Sequence, residues 1–88
     1  MDIKEIALWV IDVDRRLITL KAFKEEKVLH PSIIAKENNR SIQNISRAIH
    51  ELEQQHILKP IDDKVSWRKY ILTEKGKKVL HEIENIYN

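Results

Sequence analysis

The chain has 88 residues, 42% apolar and 34% charged, which describes one folded domain with a single modest core, too small for a two-domain enzyme and too apolar for intrinsic disorder. Cysteine is absent, which removes disulfide frameworks, thiolate metal sites and thiol nucleophiles and fits a reducing cytoplasm. The longest uncharged apolar run, Ile6 to Ile11, falls far short of the ~20 residues that cross a bilayer and has no small-residue cleavage site, so neither a membrane span nor a signal peptide is expected.

Ile3, Ile6, Val10, Val13, Leu17 and Leu20 recur at helical spacing. They describe either one long helix or two, broken where Asp12 or Asp14 caps a second segment from Arg15 to about Glu26. Pro31 suits the first turn of a short helix ending near Asn38, because its missing N–H has no partner there. Asn38 and Asn39 tolerate the left-handed conformation a tight turn requires. Ser41 then caps a helix in which Ile45, Ala48, Ile49 and Leu52 face inward. Two helices joined by so short a turn form a helix-turn-helix, about residues 31–55.

Residues 57–61 and 67–73 are β-prone, and Asp62, Asp63, Lys64 and Ser66 between them make a hairpin tip. In the second strand Tyr70 and Leu72 face the core while Arg68, at the outer end, reaches away from it. Thr73 caps a last helix with an apolar stripe of Val79, Leu80, Ile83 and Ile86. The fold class is therefore mainly α with a small β-hairpin, one domain over residues 1–88. The terminal helices, about 2–11 and 74–87, either close the core or supply a homodimer surface.

His30, His50, His56 and His81 show no metal-binding spacing, and the nearest pair, six apart, falls on opposite sides of a helix. They read as solvated or capping residues. The sole glycine, Gly76, supplies no phosphate-cradling loop. No catalytic constellation, metal or cofactor is expected, and a small enzyme is the least favoured class.

The formal net charge is only +2, but its distribution is uneven. Residues 31–50 are positive through Lys36, Arg40 and Arg47, and residues 64–78 through Lys64, Arg68, Lys69, Lys75, Lys77 and Lys78, with an acidic stretch between. Two basic blocks of this kind suit an electrostatic footprint built from two elements, although a charge run taken alone is usually a solvated face. The second helix of the unit presents Ser41, Gln43, Asn44 and Arg47 outward, with Ser46 at the edge. These types read base edges: Asn or Gln pairs with adenine and Arg with guanine. Lys36 and Arg40 sit where phosphates pass, and Lys64, Arg68 and Lys69 where the hairpin meets the flanking backbone or minor groove.

The runs SRAIHELEQQHILKPI (residues 46–61) and WRKYILTEKGKKVL (residues 67–80) resemble winged helix-turn-helix regulators of the MarR and ArsR type, especially short archaeal members. The resemblance spans residues 14–82 and implies a dimeric transcription factor that binds double-stranded DNA. Four positions depart from the family pattern. Asn39 and Arg40 replace a glycine and an apolar residue, which releases Arg40 to solvent; Trp67 and His56 each replace a glycine. Trp67 stacks on a sugar-phosphate edge or a neighbouring subunit, or covers the hairpin. A protein-docking module is the alternative function, with Ile33 and Ile42 as its apolar contact. Control by protein concentration, a partner or a small effector at the dimer seam stays open.

Overall fold

A computed structural model of the chain describes residues 1–61 and 68–88. The apolar stripe near the N-terminus divides into α1 (Ile3–Ile11) and α2 (Asp14–Ala22). Asp2 and Glu5 start α1 with reciprocal side-chain to backbone hydrogen bonds at 2.8 and 3.2 Å. The break falls where Asp12 and Asp14 suggested, but neither carboxylate caps α2. Val13 holds the N-cap position in extended conformation without a side-chain cap, and Asp14 lies inside the first turn, where its charge complements the helix dipole. α2 also stops short of Glu26. A 3-10 turn, Lys24–Glu26, follows, with Glu25 and Glu26 at φ of 63° and 57°, a reversal that directs the chain toward Leu29.

α3 (Pro31–Glu37) begins with Pro31 in its first turn, and His30 Nδ1 accepts a hydrogen bond from Ser32 N at 3.1 Å. After the C-cap Asn38, Asn39 takes φ of 54°, and the Arg40 amide donates to Ala35 O at 2.9 Å, a left-handed helix end that usually recruits glycine. Ser41 Oγ then accepts from Asn44 N at 3.0 Å and starts α4 (Ile42–Gln54). α4 ends by the same device. His56 has φ of 61°, and the amides of His56 and Ile57 donate to Glu53 O and Leu52 O at 2.9 and 3.0 Å.

β1 (Leu58–Pro60) and β2 (Tyr70–Leu72) pair antiparallel, Leu58 opposite Leu72 and Pro60 opposite Tyr70. Sequence reasoning made no strand of Leu29, yet it exchanges two backbone hydrogen bonds with Tyr70, at 3.1 and 2.9 Å, and so gives β2 a second neighbour. Thr73 Oγ1 accepts from Gly76 N at 2.9 Å and opens α5 (Glu74–Tyr87). Gly76 is required by close approach: a Cβ there would lie 2.2 Å from the Ile57 carbonyl oxygen.

α1 packs on α5, and α2 and α3 both pack on α4. The core between them is Ile6, Val10, Leu20, Phe23, Ile34, Ile45, Leu52, Ile57, Leu58 and Ile83 with their smaller neighbours. Tyr70 packs against it and Leu72 is buried in it, as the alternation in β2 predicted. Thr19 is fully buried, and its hydroxyl lacks a hydrogen-bond partner.

Candidate nucleic-acid interface

α4 buries Ile45, Ala48, Ile49 and Leu52, the four residues its sequence spacing assigned to the core. Its opposite face therefore falls on Gln43, Arg47, His50 and Gln54, at steps of four, three and four, and all four are exposed. Gln43 and Arg47 were expected there. His50, solvated as its lack of metal-binding spacing implies, joins them on this row by the same spacing that selects Gln43 and Arg47. Lys36, Ser41 and Ser46 are exposed around the start of this helix.

Asn44 lies on the flank of α4 and is half-buried. Its neighbour Arg40, which the turn sequence predicts to be released to solvent, is instead drawn back onto the protein. The guanidinium folds back, Nη1 donating to Asn44 Oδ1 at 3.2 Å while Nη2 stands 4.0 Å from Asp14 Oδ2, and only 29% of the side chain remains exposed. A carboxylate at the start of α2 and an amide on α4 together hold the cation against the protein.

Further along the same flank a second cluster clamps α4 to α2. Arg15 meets Glu51 in a bidentate pair, Nε to Oε1 at 2.9 Å and Nη2 to Oε2 at 2.7 Å. Arg16 adds a bond to Glu51 Oε2 at 3.1 Å, donates to the Trp9 carbonyl at 3.0 Å and stacks on the Trp9 ring at 3.9 Å. The Arg15 hydrogen bonds, joined by those of Arg16, hold the Glu51 carboxyl down at about 2 despite the opposing effect of burial. The angle of α4 on α2 is thus set by paired charges as well as by apolar packing.

On the hairpin, Lys69 is exposed and its carbonyl accepts from Ile61 N at 3.1 Å. Arg68 departs from the expectation that it reaches away from the core: it is half-buried, and its Nε is buried without a hydrogen-bond partner. Lys64 and Trp67 lie outside the described residues. Among the described residues no group of three or more His, Asp or Glu side chains is placed to hold a metal ion, and no helix is long and apolar enough to cross a membrane. Of the α5 stripe, Val79, Leu80 and Ile83 are consumed by the chain's own core. Ile86 remains exposed, with Tyr87 beside it and Met1 and Leu8 at the other end of the chain.

No family model matches the sequence, and no curated protein does. Solved structures do match. A mutant of the type III plasmid segregation protein TubR is similar at a TM-score of 0.84 with 16% identity, over 99% of this chain and 94% of that one. TubR bound to 24 bp of tubC, from Bacillus thuringiensis serovar israelensis pBtoxis, gives 0.84 with 17% identity over 97% and 95%. A mutant of S. aureus MepR bound to an oligodeoxyribonucleotide gives 0.72 with 20% identity, over 96% of this chain and 64% of that one. The fold is a winged helix-turn-helix. In a winged helix-turn-helix, α3 and α4 are the paired helices, α4 being the second, and the β1–β2 hairpin is the wing. At these identities the likeness concerns fold, and the chemistry rests on this chain's own residues.

Proposed function

We propose that the chain binds double-stranded DNA sequence-specifically and acts as a small dimeric transcription regulator of the MarR/ArsR type. The observation that carries this reading is the exposed row on α4, where Gln43, Arg47 and His50 form a base-reading face on the helix that enters a major groove. Asn44 and Ser46 border that row. Ser41 and Lys36 meet phosphates near the helix start, and Lys64, Trp67, Arg68 and Lys69 meet the backbone or minor groove beside the wing. Support comes also from the similar structures that hold a 24-bp duplex and an oligodeoxyribonucleotide.

In the proposed dimer the exposed Met1, Leu8, Ile86 and Tyr87 of the terminal helices meet their counterparts. Two α4 helices then lie about 34 Å apart on successive major grooves. The test is selection of duplexes from a random pool followed by salt titration of the winners. Arg47→Ala should relax base preference at one position per half-site. Lys69→Ala should weaken all duplexes alike and lower the salt slope by about one. Failure of any duplex to enrich, with weak binding at low salt, would move the function to protein docking, for which Ile33 and Ile42, 43% and 53% exposed, offer the contact.

A second reading keeps the DNA and changes the task. TubR, a plasmid segregation protein, matches this chain over nearly the full length of both, whereas the MepR match covers 64% of MepR. Mapping of bound sites in cells separates the two. Scattered promoter sites with altered transcript levels support regulation. A single cluster of sites, with loss of the replicon when the gene is deleted, supports segregation.

A further inference from the structure

We propose that Arg40 sets the base preference of Asn44, turning its amide so that the NH2 group faces a bound duplex and the base read there is guanine or thymine rather than adenine. The inference rests on the DNA-binding reading above and deepens it at one position. A guanidinium has donors only, so the amide oxygen must be the atom turned toward Arg40, as the 3.2 Å Nη1–Oδ1 contact has it. Both partners are held. The Arg40 amide is tied to Ala35 O at 2.9 Å, its guanidinium is drawn toward Asp14, and the Asn44 backbone N–H is capped by Ser41 at 3.0 Å.

An asparagine that selects adenine uses both halves of its amide, donating to N7 and accepting from the N6 amino group. With the carbonyl turned to Arg40, the donating half is what remains for the groove. Guanine offers two acceptors there, O6 and N7, and thymine offers O4, whereas adenine satisfies one contact and sets its amino group against the NH2. Arg40 acts through Asn44 and is a positioning residue.

The experiment is duplex selection with the wild-type protein and four variants, Asn44→Ala, Asn44→Ser, Arg40→Met and Arg40→Lys, each checked for an unchanged melting temperature. The position whose preference disappears in the two Asn44 variants identifies the base that Asn44 reads. Wild-type protein is expected to favour guanine or thymine over adenine there by about five-fold or more, the lower end for one base contact. Arg40→Met should bring adenine to parity at that position and leave the Arg47-dependent position unchanged. Arg40→Lys, which keeps a donor, should preserve the wild-type preference. Adenine preferred by the wild type, an Arg40→Met profile like wild type, or no position responding to Asn44 while one responds to Arg47 would each overturn the inference. If the wild type enriches no duplex, the Arg47-dependent position is also missing, and the DNA reading fails together with this one.

Discussion

His56 occupies the first position past the C-cap of α4 with φ of 61°, a conformation that costs a residue with a Cβ roughly 1–2 kcal/mol and glycine almost none. Its backbone hydrogen bonds need only the main chain, so His56→Gly should keep them and stabilise the domain by about 1 kcal/mol after the larger unfolded-state entropy of glycine is counted. Thermal unfolding should rise by roughly 4–8 °C in a domain of this size. Thr19 makes the opposite kind of case: the side chain is fully buried and its hydroxyl has no partner. Thr19→Val keeps the shape and removes the unmet polar group, so chemical denaturation should report a gain of about 1 kcal/mol. The need for a left-handed residue was legible at Asn39, because asparagine tolerates that conformation. At His56 the sequence offered only a departure from a familiar glycine, and the geometry had to supply the reason.

At the level of elements, the helices were readable because short-range rules govern them. Ser41 and Thr73 cap where expected, and the buried row of α4 follows its spacing. What was not readable joins residues far apart in the chain: the Glu51 carboxylate between Arg15 and Arg16, the return of Arg40 to Asp14, and the pairing of Leu29 with Tyr70. Each depends on which helix faces which, and no local pattern encodes that. The Glu51 clamp has a measurable pH signature. Its carboxyl is held at about 2 in the folded chain, below its unfolded value near 4.3, so the clamp is fully effective above that unfolded value and is lost as pH falls toward 2. Glu51→Gln should cost on the order of 2 kcal/mol at pH 7, after allowance for partial solvent screening. The difference between the two proteins should shrink steadily between pH 4.5 and 2 in urea titrations.

For the whole molecule, the decisive question is whether the ends of the chain meet a second copy. Most of the α5 stripe serves the monomer core, so the proposed interface depends on the exposed remainder: Met1, Leu8, Ile86 and Tyr87. Leu8→Glu combined with Tyr87→Ser should therefore halve the mass in light scattering at micromolar protein. Leu8 and Tyr87 are 50% and 59% exposed, and Tyr87 adds a contact with Lys21 Nζ at 5.3 Å, so melting of that monomer should remain within about 1 kcal/mol of a monomeric reference. A mass unaffected by the double substitution would move the interface elsewhere or remove it. The sequence raised this surface as one of two equal readings, because an apolar stripe looks the same whether its own core or a partner covers it.

A two-stranded ribbon of three residues a side is marginal when left to itself. This one is sewn at Tyr70 to Leu29, two residues ahead of the proline that opens α3, so the hairpin and the helix-turn-helix share a mechanical root. A load applied to the hairpin from outside should pass through that root into α3 and, because α3 packs on α4, on to α4. If a duplex supplies the load, contacts at Lys69 and Arg47 are energetically coupled even though they touch different parts of it. A double-mutant cycle on binding should then show an interaction energy above about 0.5 kcal/mol, where independent anchors would simply add.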